Sequence, residues 1–233
     1  FERTLDSVRQ QGLYVSEHIV LDASDIDLCG PVERLATLYG ATFHRQKSSG
    51  LWEAFAEAFS LCDGDYIGVI NSDDYLENGA LERIVFTFNN EGCDYVYGKS
   101  RRVDQDENEL YIHNPLDFLL PKLSKFLTFS VSHHAFYFRR AILEEISFID
   151  KEYNDHYDLV FINRVLCDYS GSYIPCVFAN FRIWGGNSSG NSYDSTSLVF
   201  SKLNGLPKCF FIFSKMISMI YNLSYMKYLL FRK

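Results

Sequence analysis

At 233 residues, 47% hydrophobic and 22% charged, the chain has the length and composition of one ordinary globular domain with a sizeable core, which excludes a disordered polymer. A formal net charge of -8 excludes a nucleic-acid-binding face, since a phosphate backbone is bound mainly by clustered Lys and Arg. The six cysteines (Cys29, Cys62, Cys93, Cys167, Cys176 and Cys209) lack the short paired spacings of a zinc site and are expected to be reduced thiols of a cytoplasmic protein.

The chain opens on a helical pattern with Leu5 and Val8 on one side, and starting at Phe1 rather than Met its N-terminus reads as cut. Short β-rich runs then alternate with helical segments. His18 to Leu21 reads as a strand, residues 31–39 as a helix, Thr42-Phe43 as a short strand and 50–61 as a helix. The unbroken apolar run Tyr66 to Ile70 predicts a strand, followed by a helix near 79–89 and a strand at Tyr95 to Tyr97. Such alternation implies parallel strands with helices on both faces, and ligands of such sheets bind beyond the strands' carboxyl ends. Asp22 and the segment Asn71 to Asp74 fall there.

Further on, the polar run Asp104 to Glu109 reads as a hairpin loop, and Pro115 and Pro121 bracket a short helix. Apolar and aromatic residues return at 126–138, then come a helix near 156–168 and a strand near 173–181. The division expected is a nucleotide-binding half over 1–110, an acceptor-side half over 111–192, and a C-terminal helical segment over 193–233. Within that segment, Lys208 to Lys233 is rich in aromatic and aliphatic residues but interrupted by Lys215 and Lys227. A Lys near the centre of a membrane span costs roughly 2.5 to 3.5 kcal/mol, so an interfacial helix making peripheral membrane contact suits the pattern better than a span. Packing of the same stripe against the domain is the alternative.

Asp73 and Asp74 directly follow the apolar strand, where a carboxylate pair is well placed to hold a hard divalent cation, Mg2+ or Mn2+. A strand-ending turn whose Ser-Asp-Asp caps the next helix is the structural alternative.

Gly64-Asp65-Tyr66-Ile67, followed by Asn71-Ser72-Asp73-Asp74-Tyr75-Leu76, resembles the core signature of the family 2 glycosyltransferases. Upstream, Thr4 to Gln11 is similar to the family's first helix, and His18 to Asp22 to its second strand with a nucleotide-binding Asp. Asp27 falls where the family has a second Asp. Downstream, His133 to Arg140 resembles the family's His-Gln segment ending in paired arginines, and Asp158 with Arg164 its acceptor-side Asp-to-Arg segment. Arg182 with Gly185-Gly186-Asn187-Ser188 resembles the Gly-Gly-x-Ser segment near the end of the catalytic domain.

The resemblance implies an α/β fold of the GT-A type, a Rossmann-like nucleotide-binding sheet fused to an acceptor-side half. It implies Asp22, Asp27, Gly50, Asn71, Ser72, Asp73, His133, His134 and Arg182 as donor-binding residues, with Asp74 as metal ligand beside Asp73. Asp158 becomes the general base that takes the proton of the acceptor hydroxyl, and Asp155, three residues earlier, is its rival. A helix-terminal carboxylate offsetting the macrodipole is the structural alternative for either. The activity implied is inverting transfer of a sugar from a nucleotide diphosphate, with UDP the expected nucleotide, to a hydroxyl of a glycan or lipid-linked glycan. The implied workplace is the inner face of the cell membrane.

The sequence departs from the family pattern in three places. The apolar strand with which the family begins has no counterpart ahead of the first helix. The helix from Ser49 to Ala58 carries Ser49, Ala56 and Ala58 where the family has Asp, Asn and Gly, and Asp22 lacks its following Gly. These departures motivate a second reading, a catalytically degenerate module that binds a glycan or a protein. A nucleotidyltransferase is disfavoured because its glycine-rich, basic phosphate loop is missing.

Overall fold

The structure is a computed structural model that describes residues 1–115, 131–146 and 157–184. Helix α1 (Glu2–Arg9) buries Thr4, Leu5, Ser7 and Val8, the spacing of one helical face. Its polar members fix the chain that follows the central strand. Thr4 Oγ1 donates to the Ser72 carbonyl at 2.8 Å, Ser7 Oγ accepts from the Leu76 N–H at 3.0 Å, and Gln11 Nε2 donates to the Glu77 carbonyl at 3.0 Å. The segment carrying Asp73 and Asp74 is therefore held from outside the sheet by the first helix.

Strand β1 (Ile19–Asp22) pairs in parallel with β2 (Thr42–Arg45), the two joined by α2 (Ile26–Leu38). Helix α2 starts at Ile26, earlier than the expected 31, and runs through Pro31. Pro suits the first turn of a helix, which is why the sequence pattern points to a start there; here its ring sits inside the helix and is exposed.

Helix α3 (Leu51–Leu61) follows Gly50, whose φ of 120° lies where a Cβ would be strained. Next come β3 (Tyr66–Gly68), the short β4 (Tyr75–Leu76), α4 (Ala80–Glu91) and β5 (Tyr95–Val103). The expected 104–109 loop joins β5 to β6 (Glu109–His113), with the Asp104 carboxylate accepting from the N–H groups of Asp106 and Asn108. After the undescribed stretch come a 3-10 turn (His133–Ala135), β7 (Phe136–Arg139), α5 (Ile142–Glu145), α6 (Tyr157–Asp168) and β8 (Gly171–Arg182).

The larger sheet runs β3-β7-β5-β8-β4, with β6 also on β5. Its pairings are antiparallel except β5 with β8, so the parallel strands expected from the alternation form only in part; among the described residues only β1–β2 and β5–β8 are parallel. Element periodicity reports which segments are strands, while direction depends on the crossovers between them.

Helices do cover both faces. Alternation along β5 sends Tyr95 and Tyr97 to a core with Phe59 of α3 and Val160, Phe161 and Val165 of α6. Val96 faces the other way, onto Ile84 and Phe88 of α4 with Tyr137 and Phe178. The short helix expected between Pro115 and Pro121, Asp155, the segment 185–188 and the aromatic stretch 208–233 lie outside the described residues. No helix among the described residues is long and apolar enough to cross a membrane.

Candidate functional site

Three chain segments meet beyond the end of β3, and sheet register explains why. Gly68 lies opposite Tyr137, so the end of β3 adjoins the start of β7 and the turn carrying His133 and His134. Tyr75 lies opposite Asn180 in an antiparallel pair, so Asp73 and Asp74 adjoin residues 182–184 at the end of β8. The first turn of α6 adds Asp158.

Adjacent in sequence, Asp73 and Asp74 point to different places. Asp73 Oδ2 accepts from the half-exposed Trp184 indole N–H at 3.0 Å. Asp74 is fully buried, and its Oδ1 accepts from the Arg182 backbone N–H at 3.0 Å. The Asp74 N–H closes the turn onto the Asn71 carbonyl at 3.1 Å. Burial, strengthened by the Asp73 charge, pushes the Asp74 carboxyl up to about 6, against the Arg182 N–H and the nearby His133 and Arg102.

His134 is buried, with Nδ1 3.8 Å from Asp74 Oδ2 and Nε2 3.1 Å from Arg102 Nη1. Burial, then Arg102, His133 and His113, holds its pKa well below the usual histidine value, so the ring is neutral. His133 Nδ1 lies 3.3 Å from Asp158 Oδ2. Both residues reach a small apolar cavity walled by Phe55, Phe59, Val69 and Phe161.

Within this cluster, the buried atoms Asp74 Oδ2, His133 Nε2 and His134 Nδ1 have no hydrogen-bond partner. One ligand atom from each of these residues lies within 4.8 Å of the others, a carboxylate and two imidazoles converging on one point. Orphaned buried polar atoms are costly, and a divalent cation is a partner that fits this donor set. Asp73, turned to Trp184, stands beside that cluster.

On the other side, Asp22 ends β1 directly opposite Arg45, the last residue of β2. Its carboxylate is ion-paired to Arg45 and accepts from the Ser24 N–H at 3.1 Å and the Ser24 hydroxyl at 3.0 Å. Burial works against the charge, but the Ser24 and Arg45 contacts outweigh it and hold the carboxyl below its ordinary value. Asp27 is exposed in the first turn of α2, and Gly50 is the residue before α3, its carbonyl accepting from Gln46 Nε2 at 2.9 Å. Ser72 is exposed and gives its carbonyl to Thr4. Arg182 touches Asp74 through its backbone, while its guanidinium stands 3.5 Å from Glu107.

Two participants escape the sequence reading. Arg102 sits near the end of β5, where alternation sends Arg101 to Glu77 and Arg102 toward His134, Ser100 and Ser132. Trp184 lies only two residues past Arg182, but nothing in its sequence neighbourhood points to Asp73. An arginine pair inside a β pattern is the one signal available for the first, and it does not name a partner.

Residues 1–147 match the family described as glycosyl transferase family 2. Chondroitin synthase of Escherichia coli is 33% identical over 95 residues, 40% of this chain and 13% of that protein. Among solved structures, S. aureus TarS 1-349 with UDP superposes with a TM-score of 0.63 at 15% identity, covering 89% of this chain and 63% of that one. Glucosyl-3-phosphoglycerate synthase of Mycobacterium tuberculosis, in complex with Mn2+, UDP and glucosyl-3-phosphoglycerate, gives 0.55 at 18% identity, covering 88% and 77%. The chain thus spans 13% of the length of the chondroitin synthase it matches and 63% of that TarS chain. With the family match running over residues 1–147 of 233, the chain belongs to glycosyl transferase family 2.

Proposed function

We propose that the chain carries out metal-dependent, inverting transfer of a sugar from a UDP-linked donor to a hydroxyl of a glycan or lipid-linked glycan. The observation that carries this reading is the convergence of Asp74, His133, His134 and Asp158 beyond the end of β3. TarS solved with UDP and with UDP-GlcNAc, and the synthase solved with Mn2+ and UDP, support the nucleotide and the ion.

In this reading, Asp22 at the end of β1 meets the nucleoside, the segment Asn71 to Asp73 faces the ribose and diphosphate, and the cluster around Asp74 is where Mg2+ or Mn2+ binds. The cation, when bound, offsets the negative charge that grows on the departing diphosphate. Asp158 takes the proton from the acceptor oxygen as that oxygen attacks the anomeric carbon opposite the leaving group. The apolar cavity walled by Phe55, Phe59 and Phe161 borders that carboxylate. Residues 1–110 serve the donor, 111–192 the acceptor, and 193–233 contact the inner membrane surface.

Calorimetric titration of UDP and GDP, with Mn2+ or with EDTA, tests the donor site. Mn2+-dependent UDP binding that Asp74→Ala weakens by at least about tenfold, roughly 1.4 kcal/mol, is expected. A folded protein that binds neither nucleotide in the presence of Mn2+ sinks the reading.

A further inference from the structure

His133 and His134 are neighbours, both within reach of Asp74, but their surroundings turn different nitrogens toward the cluster. A guanidinium only donates, so the 3.1 Å contact from Arg102 Nη1 requires a lone pair on His134 Nε2. Arg102 is not free to turn away. It donates to Ser100 Oγ at 2.7 Å and to Ser132 Oγ at 3.0 Å, and it lies 4.5 Å over the Phe181 ring, on which His134 also stacks. A neutral imidazole with a lone pair on Nε2 carries its proton on Nδ1, the atom that faces Asp74 Oδ2. That nitrogen cannot also give a lone pair to a cation.

His133 carries its proton on the same atom but leaves its other nitrogen, Nε2, open to the cluster. Asp158 as a carboxylate only accepts, so His133 Nδ1 holds the proton and Nε2, buried and without a partner, keeps its lone pair. A carboxylate that fixes the tautomer of an imidazole from behind is the recurrent support of a metal-bound histidine.

Resting on the donor-site reading above, we infer that the cation is held by Asp74 Oδ2 and His133 Nε2, that Asp158 positions the His133 ring, and that Arg102 keeps His134 out of the ligand set by fixing a proton, not a lone pair, on the nitrogen that faces Asp74. Asp158 then supports the cation as well as the acceptor, since a carboxylate offers two oxygens. An imidazole in the set also selects the ion. Mg2+ prefers an all-oxygen shell and sheds water reluctantly, whereas Mn2+ stands nearer the nitrogen-binding metals, so Mn2+ binds more tightly than Mg2+.

The test uses the whole chain loaded with Mn2+ and pulsed electron paramagnetic resonance to detect directly bound nitrogen. One imidazole coupling is expected in the unmodified protein, lost in His133→Gln and retained in His134→Gln, with Asp158→Ala weakening Mn2+ at least about tenfold. Long-range proton–nitrogen NMR on the metal-free protein needs no variant and is expected to show both histidines protonated on Nδ1. Nitrogen coupling that follows His134, no nitrogen coupling at all, or His134 protonated on Nε2 overturns the inference while Asp74-dependent Mn2+ binding leaves the donor site standing. Mn2+ binding that is absent, or indifferent to Asp74→Ala, overturns both.

Discussion

Asp22 and Arg45 end neighbouring parallel strands, and their ion pair is the clearest case of one residue depending on another far along the chain. The Asp22 carboxyl is held below its ordinary value of 3.8, so its ionised form is favoured by folding. That contribution is fully present above the unfolded value and is lost as pH falls through the lower folded value. Arg45→Met is therefore expected to lower stability near neutral pH, with the difference shrinking below about pH 4. Because the Arg45 side chain is 39% exposed, solvent screening limits the loss to about 0.5 to 1 kcal/mol. Denaturant midpoints of both proteins at neutral and acid pH measure it, and a difference that persists undiminished in acid would exclude the ion pair as its cause.

For the elements, the pairing of β3 with β7 decides whether the site assembles, because it sets the His133–His134 turn beside Asn71 to Asp74. Gly68 makes that pairing close, since a Cβ built there would stand 2.1 Å from Tyr137 Cε1. Gly68→Ala is expected to destabilise the fold by about 1 to 3 kcal/mol, the usual cost of forcing a carbon into packed space. Adding Tyr137→Leu should return part of that loss, and a double-variant cycle showing no coupling would place the strain elsewhere.

Helix α1 plays a comparable part from the other side. Leu5 and Val8 are legible as one apolar face, whereas the bonds of Thr4 and Ser7 to the segment after β3 depend on where the helix lands. The unequal directions of Asp73 and Asp74 follow in turn from β4 pairing with β8, a two-residue strand with no periodicity to detect.

In the whole molecule, β1 and β2 form a separate two-stranded parallel sheet, while β5 is central to the larger one and pairs with β8 from Tyr95 opposite Gly171 to Val103 opposite Arg182. A two-stranded sheet is marginal by itself, and its small core rests on Leu5, Val20, Ala36 and Ala41. Native-state hydrogen exchange should therefore show the β1 and β2 amides opening at lower free energy than those of β5 and β8. Nucleotide with Mn2+ should slow exchange near Asp22 if that carboxylate meets the donor. Equal protection in both sheets would mean that the molecule opens only as one cooperative unit.

The sequence alone determined the alternation of strands and helices, the family resemblance, and the carboxylates Asp22, Asp73, Asp74 and Asp158 as the groups to examine. Those follow from local period and motif spacing, which survive whatever the rest of the chain does. Tertiary structure alone decided strand direction, the burial of Asp74 against the exposure of Asp27, the engagement of Asp22 by Arg45, and the meeting of Arg102 with His134. Each depends on residues at least 20 positions apart being brought within a few ångströms, as with Asp22 and Arg45 at a separation of 23 or Arg102 and His134 at 32. Such contacts arise from sheet register and helix packing, which single-residue propensities do not encode.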